Sequence, residues 1–327
     1  MAAYISFQPS DFFNPVAYTG TASGAKVVTG VGFQPDNIFF KLRSGVYAWA
    51  AIDAVRGVTK ILECDSDGAA ATNSNYLASF DSDGFSTTAT QDTGTNSSGT
   101  YMGFSWKAGT TTGIAGSPTI TPTAYSFNQT SGCSIITYTG NGSAGATVPH
   151  GLGVAPEFII VKNLGTSSTD WGVYLSAFGA TKYALFNTTG AVGTASSLWN
   201  DTEPTSTLFS IGTSSKVNTS TDTYVAYCFA GKRGYSKFGS YTGYDTSDGP
   251  FIYTGFRPAL VLIKRDAAGA WWLANSSASP TNVSPIEGII RPNSTAAQTS
   301  DASETLDILS NGFKLRSNAG DINYSGT

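Results

Sequence analysis

Charge is what this sequence has least of. Only 12% of its 327 residues are Asp, Glu, Lys or Arg, against roughly a quarter in ordinary globular chains, and 18 cations against 22 anions leave a net charge of −4. No lysine or arginine cluster interrupts that scarcity, which excludes a nucleic-acid partner, whose phosphates need a basic stripe. Histidine is limited to His150, so any Ser-His-Asp or Cys-His chemistry would have to run through that one side chain. Cys64, Cys133 and Cys228 are odd in number and far apart, which excludes a disulfide framework and a zinc site and leaves buried, inert thiols. No apolar run approaches the roughly 20 residues that cross a bilayer as a helix, and MAAYISFQPSDFF lacks the basic head and apolar stretch of a signal peptide.

Glycine (37 residues), aromatics (13%), serine and threonine fill the place of the missing charge. One long phrase recurs. It begins at Tyr18-Thr19-Gly20, Tyr138-Thr139-Gly140 and Tyr241-Thr242-Gly243 and passes a Gly-rich step at Gly30, Gly151 and Gly255. A proline follows (Pro35, Pro156, Pro258), then an apolar run closed by Lys41, Lys162 or Lys264. Copies about 100 residues apart are too long for solenoid units and are of domain size. The sequence therefore predicts an all-β fold of three tandem antiparallel β-sandwich-like modules related by internal repeat. An arm covers 1–17, module one with a linker 18–131, module two 132–231 and module three 232–327.

Within the modules, runs of aromatic and β-branched residues lie between Gly, Asp and Ser clusters, as strands require. TYMGFSW alternates with period two, Tyr101, Gly103 and Ser105 on one side and Met102, Phe104 and Trp106 on the other. TYVAYCFAG aligns with it, Tyr224 with Tyr101. Phe39, Ile159 and Val261 are expected at equivalent buried positions, the three repeated glycines at positive φ, and the three prolines at strand entry. WWLANSS takes the place of DWGVYLS. Module three reaches Asn323, the counterpart of Asn96 and Asn218, without its last strand. Either the chain continues past Thr327 or a neighbouring chain donates that strand. The arm, with Phe7, Phe12 and Phe13 between Pro9 and Pro15, is expected to dock on the first module or on another chain.

Several residues invite a functional reading. Asp65, Asp67, Asp81, Asp83 and Asp248, each near a glycine, look like fragments of a calcium loop, but the further ligands of such a loop are missing and Asp-Gly is a turn signal. Asp170, Asp201 and Glu203 are the nearest approach to the facing acids of a glycosidase. Trp171, Trp199, Trp271 and Trp272 could offer platforms to sugar rings, although the equivalent places of Trp171 and Trp271 favour the core. Triplets at Asn96, Asn141 and Asn218 fit glycosylation by pattern alone and follow from composition. The expectation is no catalytic residue, no metal and no cofactor.

The phrases SFQPSDFFN, VPHGLGVAPEFIIVKN, SFDSDGF, SGTYMGFSWKAG and DGPFIYTGFRPALVLIKR together resemble repeated-domain, tail-fibre-like appendage proteins of tailed, especially marine, bacteriophages. The resemblance implies a non-enzymatic virion surface protein, assembled in the host cytoplasm and then exposed on the particle. A tail-fibre or other appendage component comes first, with capsid decoration protein, carbohydrate-binding adhesin and polysaccharide depolymerase as the other readings. It also implies partners: other copies of itself as a homo-oligomer, in a fibre a homotrimer, other virion proteins through the arm, and a host surface glycan, with no nucleic acid and no membrane insertion.

Overall fold

The computed structural model describes residues 7–89, 93–277, 289–299, 305–318 and 320–325. Strands dominate, as the Thr-, aromatic- and Gly-rich runs require. The N-terminal third carries β1 (Phe13–Thr19), β2 (Val27–Thr29), β3 (Asn37–Leu42), β4 (Ala50–Asp53), β5 (Lys60–Ile61), β6 (Ala71–Thr72), β7 (Leu77–Asp81), β8 (Gly84–Thr87) and β9 (Thr100–Trp106). The middle third carries β10 (Ala124–Asn128), β11 (Cys133–Thr139), β12 (Ala146–Pro149), β13 (Phe158–Asn163), β14 (Gly172–Leu175), β15 (Lys182–Leu185), β16 (Gly193–Thr194), a one-turn helix α1 (Ser196–Trp199), β17 (Leu208–Ile211) and β18 (Thr223–Phe229). The C-terminal third carries β19 (Phe251–Tyr253), β20 (Leu260–Ile263), β21 (Trp272–Asn275), β22 (Leu306–Leu309) and β23 (Gly312–Leu315).

Every described strand pairing is antiparallel. The N-terminal third has a sheet in the order β1-β9-β3-β4, and the middle third one in the order β10-β11-β18-β13-β14-β15-β16. Each faces a smaller sheet, β2-β8-β7 in the first and β12-β17 in the second. In the C-terminal third the small sheet is β19-β23-β22, while β20 pairs with β21 alone among the described residues.

The last strand is the axis of its sheet. β9 lies between β1 and β3, β18 between β11 and β13, with Tyr18 opposite Tyr101 and Tyr138 opposite Tyr224. Both tyrosine pairs stack, at 5.1 and 5.2 Å between centroids. The turn leading into that strand, and its counterpart in the C-terminal third, holds a buried asparagine whose Oδ1 accepts a backbone N–H just past each Tyr-Thr-Gly: Asn96 from Thr21 (2.9 Å), Asn218 from Asn141 (2.8 Å), Asn323 from Tyr244 (2.9 Å). Nothing larger than glycine fits beside that turn. A Cβ on Gly20, Gly140 or Gly243 would come within 1.9, 2.3 and 2.4 Å of the carbonyl oxygens of Ser97, Thr219 and Tyr324.

Alternation along the strands splits the interior. Ile38 and Phe40 join a core belonging to the N-terminal third, Ile159 and Val161 one in the middle third, and Val261 and Ile263 one in the C-terminal third. The opposite faces, with Phe39, Ile160 and Leu262, converge on a core shared by all three thirds. The expected equivalence of Phe39 with Ile159 and Val261 is thus displaced by one residue: Ile38 is their counterpart. Counting back from the closing lysines gives the observed register, and one residue of slip in a strand reverses its face.

Gly30, Gly151 and Gly255 have φ of 88°, 74° and 87°, a region open to glycine, as the repeat predicts. Pro35, Pro156 and Pro258 are buried just before β3, β13 and β20. Phe7, Phe12 and Phe13 all pack on this same chain: Phe7 on Phe12 and Tyr235, Phe13 on Trp106, and Phe12 beneath Lys107.

Candidate functional site

The residues singled out for chemistry in the sequence are mostly absorbed by the contacts that close the thirds on one another. Trp49, Trp171 and Trp271 are all buried and each donates its indole N–H to a carbonyl in another third: Arg291 (3.0 Å), Ser66 (3.0 Å) and Leu185 (2.8 Å). Backbone N–H groups of Tyr47, Thr169 and Gly269 repeat the direction, donating to Thr295, Asp67 and Thr189. The first third therefore leans on the last, the middle on the first, and the last on the middle, which closes a ring around the shared core.

Two of the closing lysines cross the same seams, and the third bonds within its own third. Lys41 donates to the carbonyls of Tyr47 (2.5 Å) and Thr295 (2.9 Å), Lys162 to Thr169 (2.8 Å) and Asp67 (3.3 Å), and Lys264 to Gly269 (2.9 Å) and Ala267 (3.2 Å). Burial pushes each ammonium down to about 8. A buried network adds to one seam: Tyr227 in the middle third donates to Asp53 (2.8 Å), which also takes the Arg56 guanidinium at 2.6 Å.

This accounts for the candidates in turn. Asp65 accepts the Trp49 backbone N–H at 2.7 Å, and Asp67 offers its carbonyl to Lys162, so this Asp-Gly loop is a seam. Asp83 accepts the N–H groups of Gly30 and Gly32, and Asp81 the hydroxyls of Ser79 and Ser86, which is turn chemistry. No group of three potential metal ligands occurs among the described residues. His150 is buried with Nδ1 accepting from the Leu152 N–H (3.2 Å) and Nε2 facing the Thr205 carbonyl (3.1 Å), so the proton sits on Nε2. Desolvation holds its pKa down to about 4, and both nitrogens are spent on backbone. The three thiols are buried and pushed up by that burial.

Asp170, Asp201 and Glu203 are not assembled into a pair. Asp170 accepts from Asn187 and lies 3.5 Å from Lys216, Asp201 is a left-handed turn residue at φ 46°, and Glu203 is held by the Tyr174 hydroxyl and the Ala180 N–H. Trp199 and Trp272 are as buried as Trp171 and Trp271, so none of the four tryptophans is a surface platform. Among the described residues, one shallow cleft of about 180 Å³ is lined by Ile61, Glu63, Ser66 and Tyr76 among others. Another, about 420 Å³, contains Asp36, raised by burial, with Thr123, Tyr125 and Ser126. Asp36 already accepts from the Ala108 N–H and the Ser126 hydroxyl, and no second acid lines that cleft.

What remains is a strip that the sequence reading did not single out. In β19, Phe251 and Tyr253 point outward on alternate residues, 45% and 58% exposed, while Ile252 turns toward the core. The corresponding outward positions are Val27 and Thr29 in β2 and Thr147 and Pro149 in β12, matched by pairing to the Gly84 and Leu208 strands. In the middle third that edge is covered: Thr147 exchanges hydrogen bonds with Thr119, and its carbonyl accepts the Ile120 N–H. The Phe251 ring lies over Gly312, where a Cβ would come within 3.0 Å of it. Lys237 donates to the Tyr253 carbonyl at 2.7 Å and its ammonium is 5.4 Å from the Tyr253 ring.

A charged row borders the rings. Lys314, opposite Phe251, is 2.6 Å from Asp248, and Arg316 joins Asp248 (3.6 Å) to Asp307 (2.6 Å). The hydrogen bond from Lys314 holds the exposed Asp248 carboxyl below the usual carboxylate range. Flat apolar faces beside fixed donors and acceptors suit a sugar ring, which has one apolar face and a polar perimeter. The phrase GPFIYTG, with aromatics flanking isoleucine at period two, was the available signal. The shelf becomes visible only once the strand is seen to be an edge among the described residues.

The family described as Domain of unknown function (DUF7483) matches residues 8–327. Neither the curated proteins nor the solved structures contain a match.

Proposed function

The chain belongs to the DUF7483 family, whose description assigns no activity, and from its own geometry we propose a non-enzymatic structural role as a surface component of a bacteriophage particle, in a tail fibre or other appendage. In this reading the thirds are three copies of one β-sandwich-like module, the C-terminal copy incomplete, arranged about a pseudo-threefold axis. The observation that carries it is the cyclic set of tryptophan-to-carbonyl bonds around the shared core, which converts three small sandwiches into one rigid block. A block with few charges, buried thiols and buried lysines is suited to bearing load. The resemblance of its phrases to phage appendage proteins supports the same reading. Self-association on the particle, as a homo-oligomer, belongs to this proposal.

Gold-labelled antibodies against the purified protein test it on intact phage particles carrying the gene. Label on tail appendages is the expected outcome, label on the capsid shell would favour a decoration protein, and absence from particles would overturn the proposal. A second reading, contact with a host glycan, rests on Phe251 and Tyr253. Binding to host polysaccharide without cleavage, lost in the Phe251→Ala, Tyr253→Ala double variant, is its expected signature. Release of reducing ends would point instead to a depolymerase.

A further inference from the structure

The C-terminal third holds a lane without a strand. In the other thirds, β9 and β18 run between the Tyr-Thr-Gly strand and the lysine-closed strand. Here residues 237–243 form no strand and β20 pairs on one side only, among the described residues. The consequences are local. Leu260 and Leu262 are half-buried, whereas every residue of β3 and β13 is buried. Tyr241 donates to the Ile322 carbonyl (2.6 Å) as Tyr18 and Tyr138 do to Thr95 and Val217, yet among the described residues no ring stacks on it as Tyr101 and Tyr224 stack on theirs.

We propose that residues 3–8 of the same chain fill this lane, so that the N-terminus closes the ring by completing the C-terminal third. Residues 1–6 lie outside the described ones, and their sequence is the argument. Ala3-Tyr4-Ile5-Ser6-Phe7 repeats the order of Thr100-Tyr101-Met102-Gly103-Phe104 and Thr223-Tyr224-Val225-Ala226-Tyr227: tyrosine, unbranched or branched aliphatic, small residue, aromatic. That order matters because the small residue faces the third's own core, where a Cβ on Gly103 already approaches Phe85 and Ile38 within 3.3 to 3.6 Å. The position of the segment agrees. Phe7 has its ring 5.6 Å from Tyr235, which immediately precedes Ser236, the counterpart of Phe13 and Cys133 where β9 and β18 leave their lanes. The described chain therefore begins, at Phe7, beside the mouth of the lane, from which a strand upstream of it would run in the antiparallel sense of the two filled ones. Ser277 donating to the Pro15 carbonyl at 2.7 Å already joins β1 to the C-terminal third.

The register of the other lanes would place Ala3 opposite Thr242 and Tyr4 opposite Tyr241. The Gly320 carbonyl, the counterpart of the Thr93 and Ser215 carbonyls that accept from Tyr101 and Tyr224, now accepts from Arg265 and keeps a second lone pair for the Tyr4 hydroxyl. Strand addition of this kind uses main-chain hydrogen bonds for affinity and alternate side chains for register.

Two cysteines introduced by Ala3→Cys and Thr242→Cys test the pairing in the full chain, since the native thiols are buried. The expected result is an oxidised product of monomer mass with altered mobility. A chain lacking residues 2–6 should show at least tenfold faster deuterium exchange on Leu260–Ile263, with protection returned by an added peptide of sequence TYMGFSWKA. Failure to cross-link with unchanged exchange in the truncated chain would overturn the proposal. A covalent dimer would also overturn it, because the strand would then come from a second copy.

Discussion

The middle and C-terminal thirds start from the same phrases and end with different solidity. β13 has neighbours on both sides and every residue buried; β20, among the described residues, has β21 alone, and alternate residues are half-buried. Yet LVLI is as apolar as its counterpart FIIV, and the glycine at the step, the proline and the closing lysine are the same. Burial of a strand depends on whether its neighbour arrives, since apolarity supplies only the tendency. What the C-terminal third does retain is its share of the common core, through Trp271, Leu273 and Ile290, and its asparagine turn, through Asn323. A third that lacks a strand lane can still be held from the other side.

The comparison breaks most readily at the tryptophans. Trp171→Ala and Trp271→Ala each remove a buried indole and leave a carbonyl of another third unpaired, a loss of about 3–5 kcal/mol apiece. If the shared core makes one cooperative unit, each variant melts in a single shifted transition. A two-step melt in which Trp271→Ala moves only one step would show the C-terminal third to be an appendage.

Glycine replacement separates the two regions more finely. A side chain at Gly151 meets the Phe127 ring at 2.7 Å, while at Gly255 the nearest atom is 3.5 Å away. Both have positive φ, so Gly255→Val is expected to cost about 1–3 kcal/mol of backbone strain, and Gly151→Val that plus about 1–3 kcal/mol of overpacking. Equal losses in denaturant titrations would mean that Phe127 moves aside freely.

His150 gives the middle third a pH dependence that Thr254 cannot give the C-terminal one. Folded His150 takes a proton only near pH 4, whereas an unfolded histidine does so near 6.5. Between those values the unfolded chain binds more protons, so the stabilisation is complete above pH 6.5 and is lost as pH falls through 4, by about 2–3 kcal/mol. The slope of unfolding free energy against pH should flatten in that window in His150→Gln, and an unchanged slope would exclude the buried neutral imidazole.

Lysine supplies the smallest effect and the same sign in both thirds. With Lys162 and Lys264 depressed to about 8, the unfolded chain holds more protons up to about pH 10.5, so stability rises with pH across that range. Two carbonyl acceptors at each ammonium favour its charged form and limit the rise to about 1–2 kcal/mol per lysine. Lys162→Met should remove its share, which titration of unfolding between pH 8 and 10 would detect.

Much of this was legible in the residues because it is local. Gly30, Gly151 and Gly255 announce a backbone region few other residues enter, and alternation in TYMGFSW and TYVAYCF announces a strand buried on both faces. The alignment of Asn96, Asn218 and Asn323 survives down to the identity of the hydrogen bonds. The aromatic strip was less legible, since Phe251 and Tyr253 have the same residue types as core aromatics and are exposed only because β19 is an edge. The tryptophans erred in the opposite direction as possible platforms, because an indole in sequence carries no sign of which carbonyl its N–H will meet.

By itself, then, the sequence determined the all-β character, the order of the phrases and the chemistry of each turn, since these follow from backbone preferences and side-chain alternation over a few residues. Tertiary structure alone decided that Phe39 faces the shared core while Ile38 faces its own, that the seams run cyclically from Trp49 to Arg291, Trp171 to Ser66 and Trp271 to Leu185, and that one edge keeps its aromatics in water. The seams join residues about 90 to 240 positions apart, and their energy comes from excluding water between surfaces that no local window contains.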